Sequence, residues 1–174
     1  MTALNKHTIK DCFPLPNINT IFQHLGGAKY FSTFDLASGY YQFKMCECDI
    51  EKTAFATPEG LYEFVCMPMG LSNAPATFQR AMTNIFANMV NHGVMVFIDD
   101  ILVYSKTWKE HMEKLEEVLH HMKENNLQAK CHFAQQQTQY LGCVITANAK
   151  CPDPAKVKAI WEMHAPKDKA DCWM

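Results

Sequence analysis

The chain reads as an α+β fold, a largely antiparallel sheet with helices packed on one face. Three observations predict it. Two stretches, marked by Phe78, Met82, Ile85, Phe86 and Met89 and by Trp108, Met112, Leu115, Leu119 and Met122, repeat apolar residues at helical spacing. Between them lie two short runs rich in β-branched and aromatic residues, Val94-Met95-Val96-Phe97-Ile98 and Ile101-Leu102-Val103-Tyr104, which predict a β-hairpin. Strand-like segments flank the whole, so the order is strand, long helix, hairpin, long helix, strand. With 174 residues, the chain is long enough for one domain with a real core.

Taken in order, residues 17–25 predict a short helix stopped by Gly26-Gly27. Residues 30–34 alternate and predict a strand ending at Asp35. Residues 41–45 and 53–57 read as further strands, followed by a Pro58-Glu59-Gly60 turn and a strand over 61–66. Ser72-Asn73-Ala74-Pro75 opens the first long helix, with polar cap candidates and a proline in the first turn, and Gly93 closes the segment before the hairpin. The second long helix ends near Asn125-Asn126. Strands follow around His132-Phe133 and over 140–146, and a last short helix covers 154–163. The methionine and aromatic stripes on both long helices are read as core packing. In this arrangement the strand ending at Asp35 can lie beside the hairpin carrying Asp99-Asp100, so that three carboxylates converge on one edge.

Composition narrows the function. Nearly half of the residues are apolar, 48%, and 20% are charged, as in a soluble globular protein. No apolar run approaches the roughly 20 residues of a membrane span, and the first residues lack the charged-then-apolar order of a signal peptide, so an intracellular location is expected. The eight cysteines form no C-x-x-C pair, which argues against a zinc or thioredoxin-like motif and for free thiols. A net charge of −2, with Arg80 the single arginine, is not the footprint of a dedicated nucleic-acid binder. Glu110, Glu113, Glu116 and Glu117 read as a solvated helix face.

The chemistry sits at the hairpin tip. Burying two adjacent carboxylates costs several kcal/mol per charge unless something neutralises them. A divalent cation with oxygen ligands does so. Asp-Asp in a solvated turn needs no metal, so a third carboxylate decides between the two readings, and Asp35 is the candidate.

Three segments carry more than pattern: Phe31-Ser32-Thr33-Phe34-Asp35-Leu36-Ala37-Ser38-Gly39-Tyr40-Tyr41-Gln42, Met67-Pro68-Met69-Gly70-Leu71-Ser72-Asn73-Ala74-Pro75-Ala76-Thr77-Phe78-Gln79, and Phe97-Ile98-Asp99-Asp100-Ile101-Leu102-Val103-Tyr104-Ser105. In order and spacing they resemble the reverse transcriptase (RNA-directed DNA polymerase) of gypsy-type long-terminal-repeat retrotransposons, relatives of the retroviral enzymes. Ala3-Leu4-Asn5-Lys6 with Pro14-Leu15-Pro16 resembles the end of that family's fingers, and Gln139-Tyr140-Leu141-Gly142 its primer-grip turn.

The resemblance implies a palm with a ferredoxin-like antiparallel sheet packed on helices, and part of the fingers. Residues 1–30 and 45–70 would be partial fingers, 31–44 and 71–150 palm, and 151–174 the start of the thumb connection. It implies Asp35, Asp99 and Asp100 as catalytic carboxylates on two Mg²⁺ ions, with Mn²⁺ a possible substitute. Asp35 and Asp99 would be the bridging ligands, with the Leu36 backbone carbonyl added. Tyr40 would block a nucleotide 2′-hydroxyl; Met69 and Gly70 would contact the incoming nucleotide, Gln79 and Arg80 the nucleotide or template; Leu141 and Gly142 would grip the primer. The implied partners are an RNA or DNA template with its primer, deoxynucleoside triphosphates, and the fingers, thumb and ribonuclease H regions of a polyprotein, with no membrane. Met69 stands where the family often has an aromatic residue, and Phe97 where many relatives have tyrosine. The competing readings are an inactive retroelement remnant that keeps the fold and binds nucleic acid or a partner, and a two-metal nuclease.

Overall fold

The structure, a computed structural model, describes residues 1–147, 149–152 and 154–162. The expected helix end at Met163 and most of the expected thumb connection lie outside these residues.

Two short helices, α1 (Thr2–His7) and α2 (Ile18–His24), precede the first strand, β1 (Tyr30–Leu36). Asn17 caps α2 by accepting a hydrogen bond from the Asn19 amide, and Gly27 turns the chain out of it with φ 79°. After β1 come a 3₁₀ turn (Gly39–Gln42), a single-turn helix α3 (Glu47–Ile50), a second 3₁₀ turn (Glu51–Thr53) and a small hairpin of β2 (Phe55–Thr57) and β3 (Gly60–Tyr62). The long helix α4 (Ala74–Ile85) follows, with its proline in the first turn as the sequence predicts. The central hairpin is β4 (Val94–Phe97) and β5 (Asp100–Ser105), and α5 (Trp108–Glu124) returns across it. Thr107 caps α5 through the Glu110 amide. The chain closes with β6 (Ala129–Gln135), β7 (Gln137–Tyr140), β8 (Cys143–Thr146), β9 (Lys150–Pro152) and α6 (Pro154–Trp161).

The central sheet has the order β4-β5-β1-β6, and each of its pairings is antiparallel. Alternation along the strands divides the core in two. Phe34, Leu36, Val94, Val96, Ile101 and Val103 face α4 and α5 and pack with Phe78, Met82, Leu115 and Val118. Phe31, Met95, Leu102 and Tyr104 point to the other face, where Ile21 and Leu25 of α2 meet Tyr140 and Ile145. The expected one-sided packing therefore holds for the two long helices, while α2 and the β7–β8 hairpin cover part of the second face.

Two expected strands fold otherwise. Residues 41–45 do not extend. Ser38 takes a left-handed backbone, φ 52°, directly after β1, and Tyr40 and Phe43 then wrap their rings edge-on around buried Phe78 at 5.2 and 5.0 Å. What remains of the expected strand is a single bridge, Lys44 to Cys66. Residues 140–146 are two strands rather than one. Leu141 and Gly142 both have positive φ, 49° and 75°, the backbone of a tight two-residue hairpin turn. A leucine in that turn gives no sequence signal for it.

Candidate active site

The strand register brings Asp35 and Asp100 together. They are partners across the β1–β5 ladder, its last pair at the hairpin tip. Their neighbours Phe34, Leu36 and Ile101 belong to the helix-facing core, so alternation sends both carboxylates to the opposite face. Partners of this kind hold their Cβ atoms about 4.5–5.5 Å apart, and like charges there are destabilising. Asp99 is next to Asp100 in the turn, and its carbonyl accepts a hydrogen bond from the Leu36 amide at 3.0 Å. Strand β1 and the hairpin tip are thus pinned through the residues beside the carboxylates.

The accumulated charge shows in the acid strength of Asp100. Burial, with the negative charges of Asp99 and Asp35, pushes its pKa up to about 6. Among the described residues no lysine, arginine or histidine forms an ion pair with Asp35, Asp99 or Asp100. Nor do the three bring one oxygen each within 4.8 Å of one another. Lys130 of β6 stands opposite Asp35 in the ladder without forming an ion pair to it. Three carboxylate oxygen donors on one sheet edge, with no ion-paired cation among the described residues, are a donor set that fits a hard divalent ion.

Stability without divalent cations should therefore depend on Asp100. An unfolded aspartate titrates near 3.8, the folded one near 6. Between those values the folded state holds more protons, so stability falls as pH rises through that window and is lowest above it. After solvent screening, the difference is ~1–2 kcal/mol. Asp100→Asn should flatten this dependence and raise the neutral-pH melting temperature by ~2–6 °C, read by thermal unfolding at pH 5 and pH 7.5.

The tip itself is strained and clamped. Ile98, between Phe97 and Asp99, has φ 52°, a left-handed conformation that a β-branched residue rarely adopts. Gln79 of α4 holds it there. Its Oε1 accepts from the Ile98 amide at 2.7 Å and its Nε2 donates to the Val96 carbonyl at 3.2 Å. Gln79 is 1% exposed. This corrects the expected nucleotide contact: both ends of the side chain are used inside the protein, so Gln79 positions the aspartates. Arg80 is also committed internally, to Asp11 at 2.6 Å and over the Phe13 ring.

Tyr40 stands beside Asp99, whose charge joins partial burial in raising the tyrosine pKa. Gly39 makes that approach possible. A Cβ there would lie 2.9 Å from Phe78 Cζ and 3.3 Å from Asp99 Cβ. Phe78 is fully buried and cannot yield. Gly39→Ala should cost ~1–3 kcal/mol of stability by overpacking, read by denaturant unfolding.

Tyr140, named in the sequence only as part of the Gln139-Tyr140-Leu141-Gly142 turn, donates from its hydroxyl to the Asp100 carbonyl at 3.3 Å. Burial first, and then the Asp100 charge, holds its phenol strongly protonated. The Leu141-Gly142 turn that follows packs Leu141 against the core of Phe31, Leu102 and Tyr140. Asp35, Asp100 and Tyr140 line a cavity of about 430 Å³ together with Thr33, His132 and Gln139. Met69 and Gly70 are elsewhere, on an exposed loop that Asn5 fastens through the Gly70 carbonyl and the Ser72 amide. Met69 lines a separate cavity with Tyr41 and Pro68. The structure thus gathers Asp35, Leu36, Tyr40, Asp99 and Asp100, and it holds the Leu141-Gly142 turn nearby. The cavity that Met69 lines holds none of the three carboxylates.

The family described as "Reverse transcriptase (RNA-dependent DNA polymerase)" matches residues 1–145. The chain belongs to the reverse transcriptase family. Reverse transcriptases are nucleotidyltransferases and generally use divalent metal ions. The chain is 46% identical over 166 residues to the retrovirus-related Pol polyprotein from transposon opus of Drosophila melanogaster, covering 94% of this chain and 17% of the polyprotein. It is 38% identical to that from transposon gypsy of the same organism, covering 94% and 16%. It is 33% identical to the Tf2-3 polyprotein of Schizosaccharomyces pombe, covering 97% and 13%. The chain therefore spans less than a fifth of these relatives.

Solved structures agree on the reverse transcriptase fold. A foamy viral protease-reverse transcriptase in complex with double-stranded DNA superposes with a TM-score of 0.90 at 23% identity, over 99% of this chain and 31% of that one. A complex of the foamy viral protein with an RNA/DNA hybrid gives 0.88 at 23% identity, over 99% and 24%. Among the described residues no helix is long and apolar enough to cross a membrane.

Proposed function

We propose that this chain carries the catalytic centre of an RNA-directed DNA polymerase, adding deoxynucleotides to a primer 3′ end on an RNA or DNA template. The single observation that carries the proposal is the Asp35–Asp100 register, with Asp99 adjacent and none of the three in an ion pair among the described residues.

In this reading Asp35, Asp99, Asp100 and the Leu36 carbonyl would hold two Mg²⁺ ions, or Mn²⁺ in their place, as oxygen ligands. Such ions would supply charge stabilisation at phosphorus and lower the pKa of the attacking hydroxyl. The primer 3′-oxygen attacks the α-phosphorus and pyrophosphate leaves. The protein's own part is positioning. Gln79 fixes the tip, the Leu36 amide fixes β1 against it, and Tyr140 supports the Asp100 backbone. Tyr40, beside Asp99, offers a ring face under the sugar that leaves no room for a 2′-hydroxyl. Met69 and Gly70 approach the incoming nucleotide once nucleic acid orders that loop, and Leu141-Gly142 supports the primer strand. The central sheet with α4 and α5 is read as the palm, and the segments 1–30 and 45–70 as parts of the fingers. The partners so implied are a template with its primer, deoxynucleoside triphosphates, and further regions of a Pol polyprotein.

Primer extension tests this. The chain, and the same chain within a polyprotein of its relatives' length, is given a homopolymer RNA template, a DNA primer, labelled nucleotide and Mg²⁺. Metal-dependent extension is expected from the longer protein. Template-primer binding without extension supports the inactive remnant, and release of labelled fragments without synthesis supports the nuclease; either result overturns the polymerase.

A further inference from the structure

A second cluster of metal-ligating groups lies outside the carboxylate site. Cys46 is the residue before α3, and Cys48 and Asp49 lie on its single turn. One ligand atom from each of the three comes within 4.8 Å of the others, and they are the one such trio among the described residues. The two sulfurs are 2.8 Å apart. Both cysteines are exposed and Asp49 is half-buried, so the group opens to solvent. Cys46 and Asp49 also sit on the rim of a cavity of about 400 Å³ floored by Phe43, Met67 and Leu71.

We propose that Cys46, Cys48 and Asp49 form a binding site for a thiophilic divalent metal ion of the zinc class. Two thiolates and a carboxylate are a mixed soft and hard donor set that zinc accepts and that Mg²⁺ and Ca²⁺ do not. A tetrahedral ion with sulfur ligands at about 2.3 Å separates them by ~3.8 Å. The cysteines therefore rotate apart by about 1 Å, which exposed side chains do freely. Each thiol gives up its proton as the metal–sulfur bond forms. Asp49 is now paired with Lys52, and the ion takes the place of the ammonium. Three protein ligands leave the fourth position to water.

The site is placed to act on the backbone around it. The strand-like segment entering α3 is held by Met45 donating to the Val65 carbonyl and by the Lys44–Cys66 bridge. Helix α3 is only four residues long, too short to be stable by itself. An ion fixed to both of its ends stiffens the connection from the Tyr40 turn to the β2–β3 hairpin. This site and the carboxylate site select opposite classes of cation, so occupation of one is independent of the other.

Cobalt(II) absorption of the full reduced chain tests the proposal. Co²⁺ titration should give sulfur-to-cobalt charge-transfer bands and the visible spectrum of tetrahedral cobalt, both bleached by stoichiometric Zn²⁺ and unaffected by excess Mg²⁺. Cys46→Ser and Cys48→Ser should each remove about half of the charge-transfer intensity, and the double variant all of it. Asp49→Asn should weaken Co²⁺ binding about tenfold or more with the sulfur bands retained. Cys131→Ser is the control and should change nothing. The proposal is overturned if no charge-transfer band forms, or if the double variant keeps it. Circular dichroism of each variant without metal separates lost ligands from lost fold.

Discussion

Asp99→Asn should abolish primer extension while leaving the fold intact. The substitution keeps the shape of the side chain and removes one negative charge. The Asp99 contact that orders the tip is made by its backbone carbonyl, to the Leu36 amide, and survives. What is lost is an anionic oxygen at a site where three carboxylates stand without an ion pair among the described residues. Removing one well-placed electrostatic group from such a centre costs ~3–4 kcal/mol of transition-state stabilisation, or about 10²–10³ in rate. Divalent-cation affinity should fall with it. Stability without metal should move the other way, because Asp99 charge opposes ionisation of both Asp100 and Tyr40. Extension rate, calorimetric Mn²⁺ titration and metal-free thermal unfolding check the three parts. A variant that extends primers at the parent rate removes Asp99 from the catalytic centre.

Gln79→Ala should be destabilising and inactive for a different reason. Gln79 touches no carboxylate. It satisfies the Ile98 amide and the Val96 carbonyl from a position 1% exposed. Truncation leaves those groups unpaired beside an apolar core and opens a cavity where the amide was. The left-handed Ile98 loses its restraint, and relaxation of that residue swings Asp99 and Asp100 away from Asp35. A loss of ~3 kcal/mol in stability is expected by denaturant unfolding, with polymerisation falling at least tenfold. Gln79→Glu is the informative companion. It keeps an acceptor for the Ile98 amide, loses the donor to Val96, and adds a buried charge, so it should fold poorly at neutral pH and better in mild acid. Wild-type stability in Gln79→Ala would show that the tip orders itself.

Much of this was already written in the local sequence. The periodicities of α4 and α5, the Gly26-Gly27 stop and the β4–β5 hairpin each depend on residues within a turn or two of one another. The Asp99-Asp100 pair was visible for the same reason, and the order of three motifs added Asp35. Contacts that depend on distant partners were not legible. Phe78 draws Tyr40 and Phe43 around itself, and a segment with strand-like composition becomes a 3₁₀ turn. Gln79 looks like any polar helix residue until α4 is laid against the hairpin. Tyr140 meets Asp100 only because β7 packs against β1 of the central sheet.

By itself, then, the sequence determined the sheet-and-helix class and most element types, because local patterns of side-chain polarity set which face of each element is buried, and its motif order pointed to the three carboxylates on one edge. The tertiary structure decided the register that sets Asp35 directly opposite Asp100, and that a buried glutamine holds the tip. Register between strands far apart in the chain is fixed by the packing of the whole sheet, and no short window of sequence contains that information.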